Sequence, residues 1–170
     1  MVSETFKTKI FRWGMNIFPA YRGTGARILH ISGDWTNIRI KIPLSMRTRN
    51  YVNTIFGGSM YGGVDPIYMI MLLKILGPDY IVWDKAASIR FVKPGRETLY
   101  ADFTLDENEI SEIVKFLKLN PKTDRKYMVE LKSSDGVTHA KIEKTIHIRM
   151  KNSTGRPAES KTIYAGQSLG

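Results

Sequence analysis

The sequence predicts an α+β domain in which a curved antiparallel sheet wraps around one central buried helix. The run 67–76 is apolar on almost every side, so a helix formed there must be buried nearly all round. The segments before and after it alternate apolar and polar residues with a period of two, which is typical of strands with one buried face. In a domain of this size, a strongly curved sheet is the element able to enclose such a helix.

The composition is that of one folded domain without reactive sulfur. The chain has 170 residues, 42% of them hydrophobic, and no cysteine. The lack of cysteine excludes a disulfide framework, a thiolate nucleophile and the usual structural zinc sites, and it fits a cytoplasmic location. The three histidines (His30, His139 and His147) are isolated and lack metal-ligand spacing, so we predict no metal site.

The charge balance points to polyanionic partners. The net charge is +10, from 26 Lys+Arg against 16 Asp+Glu, which suggests nucleic acid, an anionic membrane surface or a phosphate-rich ligand. The basic residues are scattered, in pairs such as Lys141 and Lys144, and we interpret most of them as solvated faces of strands and helices. Nucleic acid is not an expected partner, because no basic stripe is interleaved with aromatic residues.

The N-terminal segment is expected to form a short amphipathic helix. We predict that its apolar residues dock on the domain; these are Phe6, Ile10, Trp13 and Ile17. The alternative is that this basic segment lies on a membrane surface. Its apolar runs are too short for the core of a signal peptide.

Two strands and the central helix come next. Residues 25–33 are predicted as a strand, and in 37–42 three isoleucines alternate with two basic residues before Pro43 ends the second strand. The helix 67–76 stops at a Gly-Pro pair. At ten residues, with Lys74 inside, it is too short to span a bilayer.

The second half supplies the rest of the sheet. Residues 80–95 are predicted as one long strand, and strict alternation places Lys85 on its apolar face, with Asp84 on the other. Such a lysine lies either near an active cleft or at a subunit edge. The residues expected to share its face are Trp83, Ala87, Ile89 and Phe91.

The remaining elements are a strand at 98–105, a helix and a hairpin. The helix has Asp106 as its N-cap and Glu109 in capping-box spacing. Residues 126–151 are predicted as a hairpin with a Ser-Asp-Gly turn. The apolar face of its second arm comprises Ala140, Ile142, Ile146, Ile148 and Met150. Residues 1–151 should therefore form one domain, followed by a polar tail at 152–170.

The segment 50–71 holds the candidate functional residues. Two pairs of glycines precede a lone carboxylate, Asp65, which stands against Pro66 at the start of the apolar helix. One interpretation is purely structural, with Asp65 as the N-cap and proline at the first helical position. The glycines, likewise, can serve only a close contact between helix and sheet.

This segment resembles the hot-dog fold thioesterases of the phenylacetate-pathway type. In those proteins an asparagine leads to a His-Gly-Gly sequence, and an aspartate follows nine residues after the histidine. Here Asn50 stands six residues before Phe56, two glycines follow, and Asp65 is nine residues after Phe56. Phenylalanine thus replaces the histidine. From about residue 13 to residue 151, the chain is similar to a bacterial subfamily of this superfamily with no assigned function.

The resemblance implies a thioester-cleaving site. Backbone amides near Gly57 and Gly58 would polarise the thioester carbonyl and hold the developing oxyanion. Asp65, contributed by the neighbouring subunit's helix, would act as general base on a water molecule or as nucleophile. Asn50 would orient that water or Asp65.

Coenzyme A would be met by a basic turn. The turn 92–96 and its flanks carry basic residues that can contact the phosphates of coenzyme A, although a solvated surface turn is the alternative. The substrate-binding candidates are Phe56, Tyr61, Lys85, Arg90, Lys93 and Arg96.

The expected function is therefore a thioesterase-like hydrolysis of acyl-CoA or a related acyl thioester. No cofactor is expected apart from coenzyme A as part of the substrate. The alternative is a non-catalytic module that binds an acyl thioester or lipid, which the missing histidine favours. A hydratase of this fold usually pairs its aspartate with a nearby histidine, whereas Tyr68 stands here instead. The resemblance also implies a homo-oligomer, a dimer or tetramer, paired through the long strand after the central helix. The length of the apolar helix predicts no transmembrane segment.

Overall fold

The computed structural model describes residues 2–151 as alternating groups of helices and strands. The helices are α1 (Phe6–Ile17), α2 (Pro19–Gly23), α3 (Gly57–Val64), α4 (Ile67–Leu76) and α5 (Glu107–Leu119). The strands are β1 (Arg27–Ile31), β2 (Asn37–Ile42), β3 (Tyr80–Phe91), β4 (Leu99–Thr104), β5 (Lys122–Lys132) and β6 (Thr138–Met150). The predicted polar tail, 152–170, lies outside the described residues.

The six strands form one antiparallel sheet in the order β1-β2-β4-β5-β6-β3. Two long antiparallel pairings, β5 with β6 and β6 with β3, make up one half of the sheet. β4 and β5 meet at a single pair, Tyr100 and Lys132. β1 and β3 are the two edges, and β3 is one of the longest strands, so a long row of its backbone groups is left open.

The sheet curves around α3 and α4, which form one nearly continuous helix. Asp65 and Pro66 join the two and keep right-handed helical backbone angles, with φ −46° and ψ −54° at Asp65. Proline lacks an N–H group, so the hydrogen-bond ladder is interrupted there without ending the helix. Ile67, Met71 and Leu72 are fully buried against the sheet. The predicted α+β architecture around a central helix is therefore confirmed.

The joined helix is longer than the sequence pattern suggested, because the glycine segment is helical too. The stretch Gly57–Leu76 has 20 residues and a mean hydropathy of 1.2, which by length and composition is enough to cross a membrane. Half of its most apolar window is buried inside the domain, and core helices commonly meet the same two criteria. We interpret it as the core helix of this domain.

The capping box predicted for α5 is only half formed. Asp106 caps the helix, and its carboxylate accepts a hydrogen bond of 2.7 Å from the amide of Glu109. The Glu109 side chain does not return to the cap. It accepts a hydrogen bond of 2.9 Å from the hydroxyl of Tyr127 on β5 instead, and so ties the helix to the sheet.

The strict alternation predicted for β3 is wrong at the centre of the strand. A β-bulge lies between Asp84 and Ala86, where the pairing with β6 shifts by one residue. A bulge adds one residue and reverses which side chains face inwards. Asp84 therefore faces the interior together with Ala87 and Ile89 beyond the bulge, whereas Trp83 faces outwards opposite His147.

The orientation predicted for α1 is also wrong, because the apolar stripe expected to dock is exposed. The helix contacts the domain through its other face, which carries the buried Thr8 and the half-buried Phe11 and Met15. Polar groups fix it in place. The side chain of Asn16 donates to the carbonyl of Ile28 at 2.9 Å and accepts from its amide at 2.8 Å. These bonds cover the open edge of β1.

Candidate functional site

The side chain of Asp65 meets a buried lysine. Lys144 Nζ lies 2.5 Å from Asp65 Oδ1 and 2.7 Å from Asp84 Oδ1. The Lys144 side chain is 0% exposed, whereas that of Asp65 is 40% exposed. A buried ammonium group is thus held between two carboxylates, and Asp65 is the more exposed of them, since the Asp84 side chain is 22% exposed.

The interpretation of Lys144 as solvated surface charge is therefore wrong. Lys144 lies on the buried face of β6, between Ile142 and Ile146. That position follows from the period of two, since every second residue from Ala140 onwards faces the interior. The sequence signal was present in the alternation, but nothing local indicates which carboxylates would compensate the charge.

The two carboxylates hold the lysine in different ways. A buried ammonium group needs opposite charges close by, because its desolvation is otherwise too costly. Lys144 donates a hydrogen bond to Asp65, whereas its contact with Asp84 is an ion pair without good hydrogen-bond angles at Oδ1. Burial opposes the charged form of Lys144, but Asp65 and Asp84 outweigh it and raise its pKa. Burial raises the pKa of Asp84, although Lys144 works against that shift.

The structure contradicts the interpretation of Asp65 as an N-cap. An N-cap residue has an extended backbone, and its side chain accepts a bond from an amide two or three residues later. Asp65 is helical, the position preceding α4 is Pro66, and no side chain caps that helix. The carboxylate is directed to Lys144 instead.

Tyr61 stands one helical turn before Asp65, on the same side of the helix. The Lys144 ammonium lies 5.3 Å from the centre of the Tyr61 ring, in a cation–π contact. Burial, and then the nearby Asp65 carboxylate, raises the pKa of the Tyr61 hydroxyl. The structure therefore brings the predicted residues Tyr61 and Asp65 together.

A second group of predicted residues surrounds a cleft at the start of α3. The cleft has a volume of about 380 Å³, and its walls include Asn50, Gly57, Phe91 and Lys93. Small-molecule sites commonly begin at this size. The amide of Ile55 donates to the carbonyl of Gly95 at 2.7 Å, which holds the turn after β3 against the helix entrance.

Two backbone amides point out of the start of α3. The amides of Ser59 and Met60 donate to the carbonyl of Phe56, which precedes the helix. Within residues 2–151, the amides of Gly57 and Gly58 have no such partner, as expected for a first helical turn. These two amides and the positive end of the helix dipole form a binding site suited to an atom with a partial negative charge.

The two glycine pairs serve different purposes. A Cβ atom on Gly58 would lie 2.3 Å from the Phe56 ring, and one on Gly57 would lie 2.7 Å from the Phe91 ring. Aromatic rings thus approach the backbone at the free amides. At Gly63 a Cβ atom would lie 2.7 Å from Ala26 and 3.1 Å from the side chain of Ile42 on β2, so Gly63 gives the close contact between helix and sheet.

Asn50 shapes the wall of the cleft. Its side chain accepts hydrogen bonds from the amides of Val52 and Thr54, at 3.1 and 2.9 Å, and donates to the Thr54 hydroxyl at 2.9 Å. These bonds fold residues 50–54 into a tight turn. Most of its hydrogen-bonding capacity is therefore used within the chain.

The basic candidates are distributed over both sides of the sheet. Lys93 lines the cleft. Lys85 lies at the bulge, and its Nζ is 2.5 Å from Asp124 Oδ2 on the outer surface. Arg90 pairs opposite Lys141, which also faces outwards, and Arg96 is exposed in the turn after β3. The structure thus places Lys93 in the same cleft as Gly57 and leaves Lys85 and Arg90 on the outer side.

The two groups of candidate residues are separated along one helix. Asp65 follows Gly57 by eight residues, which corresponds to about 12 Å at 1.5 Å per residue. One thioester carbonyl cannot touch both within a single chain. Among residues 2–151, no three histidine, aspartate or glutamate side chains converge in a way that would hold a metal ion.

The comparisons with known proteins agree with this architecture. The family model described as a domain of unknown function (DUF4442) matches residues 7–148. A protein of unknown function and probable thioesterase from Pseudomonas aeruginosa superposes with a TM-score of 0.75 at 14% identity, over 88% of this chain and 99% of that one. A thioesterase from Haemophilus influenzae gives 0.65 at 13% identity, over 88% and 94%.

A protein of unknown function from Chlorobaculum tepidum gives a TM-score of 0.67 at 15% identity, over 85% of this chain and 94% of that one. No curated protein matches the chain. At these identities the structural likeness bears on the fold, whereas the family model matches most of the chain directly. The protein has the hot-dog fold expected from its helix entrance, and it belongs to the family described as a domain of unknown function, DUF4442.

Proposed function

We propose that this protein hydrolyses an acyl thioester, with acyl-CoA as the expected substrate. One observation carries the proposal: a single helix offers two free amides beside a cleft at its start and a lysine-held carboxylate about two turns later. One of the similar structures is named a thioesterase and another a probable thioesterase, which supports the same chemistry. The test is the release of coenzyme A from acyl-CoA esters of different chain lengths.

The reaction needs one group to activate water and another to receive the oxyanion. Asp65 accepts a proton from a water molecule, and the resulting hydroxide adds to the thioester carbonyl. The carbonyl oxygen becomes an oxyanion that accepts hydrogen bonds from the amides of Gly57 and Gly58. Collapse of this intermediate breaks the carbon–sulfur bond and expels the thiolate. The proton on Asp65 then passes to the sulfur, which gives the free acid and coenzyme A.

Lys144 is a positioning residue in this scheme. It engages Oδ1 of Asp65 at 2.5 Å and leaves Oδ2 to act on the water. Because Lys144 is itself held by Asp84 and enclosed by the sheet, the carboxylate cannot swing freely. A base held in one position accelerates the reaction more than a mobile base, because the rate depends on holding the reacting atoms close together and aligned.

The separation of about 12 Å between Gly57 and Asp65 implies that two subunits build each site. The open edge of β3 is the surface on which they would pair. In the C-terminal half of β3, the side chains of Ala87 and Phe91 lie on the same face of the sheet as the core, but they stay exposed within one chain. A long apolar edge strand favours pairing with another strand.

We therefore expect the protein to be a dimer or a tetramer in solution. Light scattering should give a mass of at least twice 19.4 kDa across the micromolar range. Pairing of β3 with its own copy across a two-fold axis would join two six-stranded sheets. A stable species of 19.4 kDa at micromolar concentration would contradict a site shared between subunits.

Coenzyme A binding should depend on Lys93 and on salt. Lys93 is the basic candidate that lines the cleft, so Lys93→Ala should weaken binding of coenzyme A roughly tenfold, as expected for one charged hydrogen bond. The remaining affinity should depend less on ionic strength. Isothermal titration at low and high salt measures both effects.

Two further variants place this prediction in context. Arg96→Ala should have a smaller effect, since Arg96 is exposed in the same turn without lining the cleft. Lys118→Ala, on the exposed surface of α5, is the matched control and should bind like the parent. Equal affinities for all four proteins would leave the basic turn as ordinary surface charge.

Two observations favour a second candidate function, the binding of an acyl thioester without hydrolysis. The Asp65 carboxylate is already compensated by an ammonium group at 2.5 Å, and Phe56 stands where the related thioesterases carry a histidine. A carboxylate used only to anchor Lys144 would make the site a binding pocket. Tight binding of acyl-CoA with no release of thiol would identify this function.

A further inference from the structure

Helix α1 presents a stripe of large apolar side chains to the solvent. Phe6 is 78% exposed and Trp13 66%, and Ile10 and Ile17 are about half exposed. These four residues are spaced by three or four positions, so they lie along one side of the helix. Phe18, directly after the helix, extends the stripe. We call these five residues the α1 stripe.

The fold itself does not need the α1 stripe. The opposite face of α1 holds the helix on the domain: Phe11 makes an edge-to-face contact with Trp35, at 5.0 Å between ring centres, and Asn16 binds the backbone of Ile28. Ahead of the helix, Glu4 accepts a hydrogen bond of 3.0 Å from the amide of Ile31. A contiguous apolar patch that is not used within the chain marks an interaction surface.

The surroundings of the α1 stripe are positively charged. Lys7 and Lys9 are exposed on α1 itself, and the helix contains no acidic residue. Beyond its C-terminal end, Ile17 borders a depression whose walls include Arg22 and Arg47. An acidic residue in front of the helix, Glu4, is already paired with Arg12 at 2.8 Å. The stripe is therefore flanked by cations.

We propose that α1 docks on the surface of an anionic membrane. The α1 stripe enters the boundary between headgroups and acyl chains, while Lys7, Lys9, Arg22 and Arg47 contact lipid phosphates. An exposed aromatic and aliphatic face flanked by basic residues is the pattern of interfacial helices. Each basic residue near an anionic surface adds to the attraction.

A second copy of the chain is the less suitable occupant. Two α1 helices stacked in parallel would bring Lys7 and Lys9 of one beside the same lysines of the other. An antiparallel pair would bring them towards Arg22 and Arg47, so both arrangements bring like charges together. α1 also covers β1, the edge of the sheet opposite β3. The strand proposed for dimer formation therefore leaves α1 free. This inference goes beyond the thioesterase proposal and does not depend on it.

The test is co-sedimentation of the full chain with lipid vesicles. Vesicles with equal parts phosphatidylglycerol and phosphatidylcholine should bind the protein, and those of phosphatidylcholine alone should bind at least tenfold less. Binding should weaken with added salt. Tryptophan emission should shift to shorter wavelength, because Trp13 leaves water for the interface.

Variants of the exposed faces locate the contact. The double variant Phe6→Ser with Ile10→Ser should bind anionic vesicles at least tenfold more weakly, since it removes two apolar side chains that would enter the membrane, while Trp13 stays as reporter. Lys7→Gln with Lys9→Gln should reduce binding by about the same factor. Leu119→Ser is the matched control, because Leu119 is 88% exposed but lies at the end of α5. Circular dichroism checks that each variant is folded.

Three results would overturn the proposal. The first is no binding to anionic vesicles, and the second is binding that the two double variants do not reduce. The third is a change of subunit number in the Phe6→Ser, Ile10→Ser variant without any vesicle binding by the parent, which would make the α1 stripe a protein interface. None of these results would affect the hydrolysis assay.

Discussion

Replacing Lys144 with methionine is expected to lower the free energy of unfolding by about 3–5 kcal/mol, the usual cost of removing one partner from a buried ion pair. The Lys144 side chain is 0% exposed and that of Asp84 is 22% exposed, so water can replace the ammonium group beside Asp84 only in part. Methionine has a similar length and no charge, which leaves the partly buried carboxylate of Asp84 uncompensated. Chemical denaturation followed by circular dichroism measures the loss.

The loss should depend on pH in a defined direction. Burial already raises the pKa of Asp84, and removal of Lys144 removes the group that opposes this shift. A carboxyl group whose pKa is higher in the folded state does not destabilise the protein at a pH below its unfolded pKa, about 3.9. As the pH rises from there through the folded pKa, this group increasingly lowers the free energy of unfolding. The Lys144→Met variant should therefore be closer to the parent at pH 4 than at pH 8.

The double variant Lys144→Met with Asp84→Leu is the control for this account. It removes both buried charges together, which is commonly neutral or stabilising. Most of the lost stability should return, while turnover stays low because Asp65 has lost its anchor. A single Lys144→Met variant that unfolds within about 1 kcal/mol of the parent would contradict a buried, charge-compensated lysine.

Asp65→Asn is expected to abolish measurable turnover while the domain stays folded. An amide oxygen cannot take a proton from water, and general-base catalysis alone contributes about 10²–10⁴-fold. Asparagine can still accept a hydrogen bond from Lys144, which also keeps its ion pair with Asp84. Since Asp65 caps no helix, the melting temperature should fall by only a few degrees. Steady-state hydrolysis and calorimetry measure the two effects.

Asp124→Asn provides a matched control on the outer surface. Asp124 is 36% exposed and lies 2.5 Å from the ammonium of Lys85, so it resembles Asp65 in exposure and pairing. Its replacement should leave turnover unchanged. If the Asp124 variant lost activity and the Asp65 variant kept it, the reactive carboxylate would have been assigned to the wrong side of the sheet.

The elements with a clean period could be predicted from the sequence. The predicted helix 67–76 and strand 37–42 coincide with α4 and β2, because each has an unambiguous pattern and a local stop, at Gly77 and Pro43 respectively. Gly77 adopts φ +83°, a conformation that glycine accepts readily at a helix end. Local rules suffice where a segment and its terminator agree.

The site could be predicted only in part, since its partners come from distant strands. The helix entrance and Asp65 were visible in one segment. Lys144 and Asp84 were not, because they meet Asp65 only through the pairing of β3 with β6. The bulge in β3 made the position of Asp84 harder to predict. Its one extra residue changes which side chains of the strand face the interior, and no glycine or proline in the sequence marks the bulge.

The face of α1 that docks was ambiguous for a different reason. The helix has apolar residues on two sides. If the buried apolar area alone decided which side docks, the larger stripe would face the domain. The helix docks through the face with the smaller apolar area, because Asn16 and Glu4 form hydrogen bonds with the open backbone of β1. These bonds are made at Ile28 and Ile31. Hydrophobic patterning cannot anticipate a choice that polar side-chain bonds to an edge strand decide.

Thiol release from acyl-CoA by the parent protein tests the central claim most directly. The chain contains no cysteine, so a thiol-reactive chromophore reports coenzyme A without any background from the protein. Our account predicts steady release of thiol with at least one acyl chain length, at a rate that Asp65→Asn reduces by about 10²-fold or more. Tight binding of acyl-CoA esters across the series, with no thiol released from any of them, would contradict it.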